Sequence, residues 1–411
     1  MYGIFLTIEW LALAITLVSG ILVLPTFLRF CKGLGKRTVV PVSEEYAKFA
    51  VIIPARDESS VVEANIKSVL QNEYPKTQRE IYLIVESEAD ETVRIAQKYT
   101  GVRVFVRKEK TEAGKGFALD EFFRDLFRKK EDFDAFLILD ADNLIQRDFL
   151  ARMNDAFQAG YDLACGKRDN KDWNISAVSA VSGLTFTALN LLVNKPKTYH
   201  GETVVVSGTG FFVRADKLRA LGGWPFHSLT EDYELTTHAN REGWKTCYVE
   251  TAVYYDEQPI KLKTSIIQRS RWIKGFFSVR GKYEKKKRAV NRPRRLLGAV
   301  PLLTLLITLI AYLVALFLLF TLSLCLRNGQ AHLYGWRLLG LLGGAYLLVT
   351  AGTLMIFRAE KGKMGITKAS MAKAALLHFP FLLTYVLAAV RAIFMQNTWE
   401  KIEHCIYKEI E

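Results

Sequence analysis

The sequence predicts an α/β domain, built on a parallel sheet, inserted between transmembrane α-helices. Two observations carry this reading. Half of the 411 residues are hydrophobic, but they gather at 4–30 and beyond 296, while 45–285 has the mixed polarity of a soluble protein. A water-facing domain between membrane spans leaves that segregation. Within the middle stretch, short apolar β-rich runs alternate with segments of helical period, the pattern of a parallel sheet covered on both faces.

Residues 10–28 are nearly free of charge and are followed by Arg29, Lys32, Lys36 and Arg37. A cleaved signal carries its positive charge ahead of the apolar run. The order here predicts an uncleaved span with the N-terminus outside and the next domain in the cytoplasm. Phe49–Pro54, Ile81–Glu86, Val102–Val106 and Phe136–Asp140 read as buried strands, with helical spacing at 59–71, 91–99 and 115–129 between them. Spans follow at 297–324, 334–357 and 371–395, the last carrying Lys373, Pro380 and Arg391. Counting from an inside domain puts the C-terminus outside, unless 366–379 lies along the interface as an amphipathic helix. The expected division is therefore 1–44 (first span and linker), 45–258 (catalytic domain), 259–296 (interface helices), 297–398 (further spans) and 399–411 (tail).

The net charge is +14. Much of it lies in the run Arg280, Lys282, Lys285, Lys286, Lys287, Arg288, Arg292, Arg294 and Arg295, and in Arg358, Lys361, Lys363 and Lys368. Both groups abut predicted spans, so retention on the cytoplasmic side and contact with anionic lipid explain them, and nucleic acid is not an expected partner. The five cysteines have no paired or metal-ligand spacing, which fits a reducing compartment.

Three motifs carry chemistry. Asp140-Ala141-Asp142-Asn143 follows an apolar strand, where two carboxylates can share a divalent cation and orient a ribose; Mg²⁺ and Mn²⁺ favour a few carboxylates plus phosphate oxygens. The bland reading is a solvated turn. Thr230-Glu231-Asp232 offers either a helix cap or a general base for a sugar hydroxyl. In Gln268-Arg269-Ser270-Arg271-Trp272 the two arginines can clamp a diphosphate and the indole can carry a sugar ring. The alternative is an interface helix with its arginines among headgroups.

In order and context these motifs resemble the membrane-integrated family 2 glycosyltransferases, whose processive members include cellulose, chitin and hyaluronan synthases. The segments Val51–Glu58 and Gly114–Leu119 match further family patterns, and the likeness covers roughly 45–285. It implies a GT-A-like, Rossmann-type nucleotide-sugar domain and an inverting single displacement. It further implies Mg²⁺ or Mn²⁺ on Asp142 and a nucleotide held by Pro54, Ala55, Glu58, Lys115 and Asp140. Glu86 would take the place of the usual strand-end aspartate. Asp232 would be the base, with Glu231, Gln268, Arg271 and Trp272 serving acceptor and leaving group, and Trp224 also holding acceptor sugar.

The expected activity is extension of a β-linked polysaccharide from a UDP-sugar, with passage across the plasma membrane. Membrane lipids surround such an enzyme, and an accessory or export subunit is compatible with it. The alternative is a lipid glycosyltransferase resembling ceramide glucosyltransferase, since about four spans is lean for an enclosed channel. A transporter or scaffold is the distant alternative, because transporters carry polar, broken helices near the midplane and these spans are bland.

Overall fold

A computed structural model describes residues 38–110, 112–285, 331–360 and 364–395, with isolated positions at 10, 28, 32 and 36. The expected spans at 10–28 and 297–324, and most of the basic run, lie outside the described residues. The chain begins with β1 (Phe49–Pro54), α1 (Val62–Leu70), β2 (Arg79–Val85), α2 (Glu91–Ala96), β3 (Val102–Val106), α3 (Lys115–Arg128) and β4 (Ala135–Ile138). These are the strands and helices the periodicity predicts, to within a few residues at their ends. The reason is visible in β1. Phe49, Val51 and Ile53 enter one core cluster, and Ala50 and Ile52 enter the other. A strand buried on both faces must be apolar throughout.

The sheet runs β3-β2-β1-β4-β7-β6-β8-β5. Strands β1 to β4 are parallel, as expected. The continuation corrects the expectation of a parallel sheet. β5 (Leu144–Ile145), β6 (Leu163–Asn170), β7 (Phe211–Arg214) and β8 (Thr246–Asp256) make it mixed, with β7 antiparallel to both β4 and β6. Helices α1, α2 and α4 (Phe149–Gln158) cover one face through Ile66, Val93 and Met153. The other is covered by α3, α7 (Ala215–Ala220) and α8 (Glu231–Glu242), through Phe122, Phe123, Leu218 and Leu235.

Between β6 and β7 the chain forms α5 (Ala177–Ala188), a π-helical turn (Leu189–Asn194) and α6 (Lys195–Tyr199). This stretch is apolar enough to cross a membrane, yet 67% of it is buried inside the protein. It is a core element, and its apolar character serves as a seam. Trp173, Val181 and Leu184 pack against Phe357, Ala374 and Phe381 of α10 (Ala331–Ala359) and α11 (Lys368–Phe394). Buried Lys167 pairs with buried Glu360 across the seam, and Asn174 holds the backbone at Gly365 and Thr367.

α10 and α11 turn Leu347, Leu348, Met355, Val386, Leu387 and Phe394 outward. An apolar helical surface of this kind suits lipid. At 1.5 Å per residue, α11 is about 40 Å long, enough for a hydrocarbon core of about 30 Å. It runs unbroken through Pro380, so 366–379 is not a separate amphipathic helix.

Candidate active site

The site lies past the carboxyl ends of β1 and β4, where strand order reverses and open α/β sheets form a crevice. Asn65 of α1, fully buried, donates from Nδ2 to the carbonyls of Asp140 (3.0 Å) and Asn143 (2.8 Å) and so clamps the loop after β4. The Asp140 amide donates to Thr209 Oγ1 at 2.8 Å, and that hydroxyl donates to Asn143 Oδ1. Thr209 stands between two glycines in left-handed conformation, Gly208 (φ 85°) and Gly210 (φ 66°). A Cβ on Gly210 would meet the Tyr254 ring at 2.1 Å, so only glycine fits this strand entry. At Gly208 a Cβ would lie 3.9 Å from both Asp140 Oδ2 and Asp232 Oδ2. The two carboxylates therefore face a common gap.

Lys115 begins α3 and reaches into that gap. Its ammonium donates to Asp140 Oδ1 (2.5 Å) and the Gly208 carbonyl (2.6 Å) and lies 3.8 Å from Glu231. The approach depends on Gly116, where a Cβ would overlap the Phe226 carbonyl at 2.2 Å. Phe117 stacks on His227, and His227 bonds Asp120 at 3.1 Å. The first turn of α3 is thus pinned to the segment before Thr230. Burial lowers the Lys115 ammonium, but Asp140, Glu231 and Asp232 outweigh it and hold the group above its ordinary value. Glu231 is pushed up to about 8 by burial, against Lys115 and with help from Asp232. Burial also raises Asp232, against the Tyr233 amide, Lys115 and Arg168.

The side of the cleft toward α11 is formed by α9 (Leu262–Lys285). Gln268, Arg271, Trp272 and Gly275 are spaced three and four apart and share one stripe. A Cβ on Gly275 would strike Thr230 Oγ1 at 2.4 Å, so that stripe leads onto Thr230-Glu231-Asp232. Trp272 meets the edge of Phe186 at 5.6 Å, and the Arg168 guanidinium covers Phe186 at 3.5 Å.

Two expectations are corrected. Arg269 does not join Arg271 in a clamp. It is buried against α11, donating to Thr384 Oγ1 (2.8 Å) and covering the rings of Phe381 and Tyr385. Trp224 does not reach an acceptor either: it is fully buried among Phe123, Phe211 and Phe226, with its indole N–H on the Phe226 carbonyl. Large aromatic side chains gain most from such burial.

The remaining expected residues fall around the crevice. Pro54 ends β1, and Ala55 follows it with its amide on the Ile84 carbonyl. Glu58 sits in the following turn with its amide on Thr92 Oγ1. Glu86 follows β2 and accepts from Arg107 at 2.6 Å, so Arg107 sets its orientation. Residues not singled out from sequence also belong here, namely Asn65, Arg168, Thr209 and Asp256. Only Thr209 had a local signal, a threonine between two glycines ahead of an apolar strand.

Among the described residues there is no group of three or more ligating side chains that could cage a metal ion. The donor set still fits Mg²⁺ or Mn²⁺, which take one or two carboxylates and complete their shell with water and substrate phosphate. Asp142 supplies hard oxygens, and Asp140, 37% exposed, adds Oδ2.

The comparisons agree with this geometry. A family model described as "Glycosyltransferase like family 2" matches residues 47–275. A probable glycosyltransferase of Bacillus subtilis is 26% identical over 249 residues, 56% of each chain. The beta-monoglucosyldiacylglycerol synthase of a Nostoc species is 24% identical over 241 residues, 56% of this chain and 48% of that one. The chain thus spans about half the length of the curated relatives it matches. The mannosyltransferase from Pyrobaculum calidifontis, solved with GDP-Man and Mn²⁺, superimposes with a TM-score of 0.56 at 17% identity. That superposition covers 94% of this chain and 99% of that chain, which establishes the fold.

Proposed function

The chain belongs to glycosyltransferase family 2, and from that premise we propose an inverting transfer from a nucleotide sugar to an acceptor presented at the membrane face. The observation that carries the reading is the gap over Gly208, bordered by Asp140 and Asp232 and closed on the membrane side by α9. In it, Asp140 and Lys115 receive the nucleotide and its phosphates. Asp232 takes the proton of the incoming hydroxyl. Glu231, pushed up to about 8, keeps its proton near neutral pH and so leaves the base role to Asp232. Arg271 and Gln268 face the leaving diphosphate, and Trp272 offers an apolar face to a sugar. A divalent cation held by Asp142, with Asp140, would supply positive charge against the departing diphosphate.

The acceptor we put first is a lipid. In support, the chain is similar to a diacylglycerol glucosyl synthase, and α9 delivers its stripe of Gln268, Arg271 and Trp272 to the site directly from the membrane helices. Polymer extension is the second reading, supported by the order of the five sequence motifs. UDP is the expected nucleotide, and GDP is the alternative raised by the Pyrobaculum calidifontis mannosyltransferase. In this reading the domain from 45 to 258 is cytoplasmic and α10 and α11 are spans of the plasma membrane. Purified protein would be incubated in lipid vesicles with radiolabelled UDP-sugars or GDP-mannose and Mn²⁺, and the products partitioned between organic solvent and water. Label in the organic phase supports a lipid acceptor and label in a high-mass aqueous product supports the polymer. Release of free sugar alone would sink both.

A further inference from the structure

Beneath the Asp140–Asn143 loop lies a buried polar network that the reading above does not use. Its centre is Asp256, the last residue of β8, 2% exposed. Oδ2 accepts from Arg168 Nε (3.0 Å), Arg168 Nη2 (2.5 Å) and Gln258 Nε2 (2.6 Å). Oδ1 accepts from Asn143 Nδ2 at 2.7 Å. The same amide nitrogen donates to Asp142 Oδ1 at 3.1 Å.

The orientation of that amide is determined from both ends. Thr209 Oγ1 accepts from the Asp140 amide and places its own proton on Asn143 Oδ1, at the oxygen end. Asp256, paired with Arg168 through Oδ2, presents Oδ1 as the acceptor and so fixes the nitrogen end. Asn143 then has one N–H left, and it points at Asp142. Lys171 holds the same loop from outside, with its ammonium on the Asp142 carbonyl at 3.0 Å.

We infer that Asp256 is a positioning residue for the cation site: through Asn143 it fixes the side chain of Asp142 in the orientation that receives a divalent cation. The inference rests on the assignment of Asp142 as the cation ligand. Partners of this outer kind typically contribute 10–100-fold to metal affinity. Asp256→Asn is nearly isosteric and keeps an acceptor for Arg168. Its new amide would present N–H to Asn143, whose side chain would flip and turn its oxygen on Asp142.

The test measures Mn²⁺ binding in the presence of UDP by the loss of the free-ion electron paramagnetic resonance signal. Three variants of the full chain are used: Asp256→Asn, Asn143→Leu and Asp142→Asn. Asp256→Asn and Asn143→Leu should each weaken Mn²⁺ by about 10–100-fold, and saturating Mn²⁺ should restore most of their turnover. A merely structural defect would not be restored by the ion. Should Asp256→Asn fail to fold, Asn143→Leu, which leaves the Arg168–Asp256 pair in place, decides the matter. Unchanged Mn²⁺ affinity in the folded variants, with affinity lost in Asp142→Asn, overturns the inference alone. Unchanged affinity in Asp142→Asn overturns the cation assignment beneath it.

Discussion

Gly275 of α9 and Thr230 of the cleft touch with no room for another carbon between them: a Cβ at position 275 would lie 2.4 Å from Thr230 Oγ1 and 2.5 Å from its Cγ2. Thr230 is buried and short, so it cannot swing clear. Gly275→Ala must therefore lift α9 from the cleft, an overpacking that costs about 1–3 kcal/mol. Turnover should fall by about 10-fold or more, because the displaced stripe carries both Arg271, facing the leaving diphosphate, and Trp272, facing a sugar. Adding Thr230→Ala should recover part of the loss, as contacting residues couple. Steady-state kinetics on the two single variants and the double variant measure this, and strict additivity would contradict it.

Asp140 and Asp232 border the same gap but serve different partners. Asp232→Asn should remove turnover by about 10²–10⁴-fold, the usual contribution of a positioned base, and leave nucleotide affinity nearly intact. Asp140→Asn should instead damage nucleotide binding itself, since it also releases Lys115. Calorimetry with UDP and GDP on both variants separates the roles. Equal loss of nucleotide binding would place Asp232 in the donor site and require another base.

The raised carboxyl of Glu231 has a consequence for stability. Its folded value of about 8 lies above the ordinary 4.5, so the folded protein binds the proton more tightly than the unfolded chain. The contribution is fully present below the ordinary value and is lost as pH rises through the folded one. Glu231→Gln should therefore melt with the parent near pH 5 and above it near pH 9. A thermal melt in detergent at both values checks this, and parallel shifts at the two would refute it.

The charge pattern gives a topology. Lys32, Lys36 and Arg37 on one flank, and the basic run from Arg280 to Arg295 on the other, should hold the intervening domain in the cytoplasm. Reporters fused at residues 45 and 290 should both read cytoplasm. An outside reading from either would reverse the orientation of the first spans.

The four parallel strands and their helices were legible because β1 and β4 are apolar on both faces, β2 and β3 are mostly apolar, and each helix keeps its own period. β6 was not. It carries Lys167, Arg168 and Asp169 in succession, and these are buried or half-buried only because Glu360, Asp256 and Trp173 meet them from other elements. No local pattern announces such partners. The same holds for single side chains. Trp224 and Arg269 sit in segments of the right character for a site, and whether each faces cleft or core depends on helices distant in sequence. Asp140, Lys115, Glu231 and Asp232 were legible as motifs, and the structure brings them together around a glycine that sequence reading passed over.

The ion pair between Lys167 and Glu360 ties the sheet to the end of α10 across the apolar seam. Both partners are almost wholly buried, and a buried ion deprived of its partner costs about 3–5 kcal/mol, a large share of the roughly 5–15 kcal/mol that holds a domain folded. Trimming the chain before residue 331 would strand an ammonium in the middle of β6 and bare Trp173 and Leu184 to water. A water-soluble fragment of this enzyme would need Lys167 and the apolar seam redesigned together.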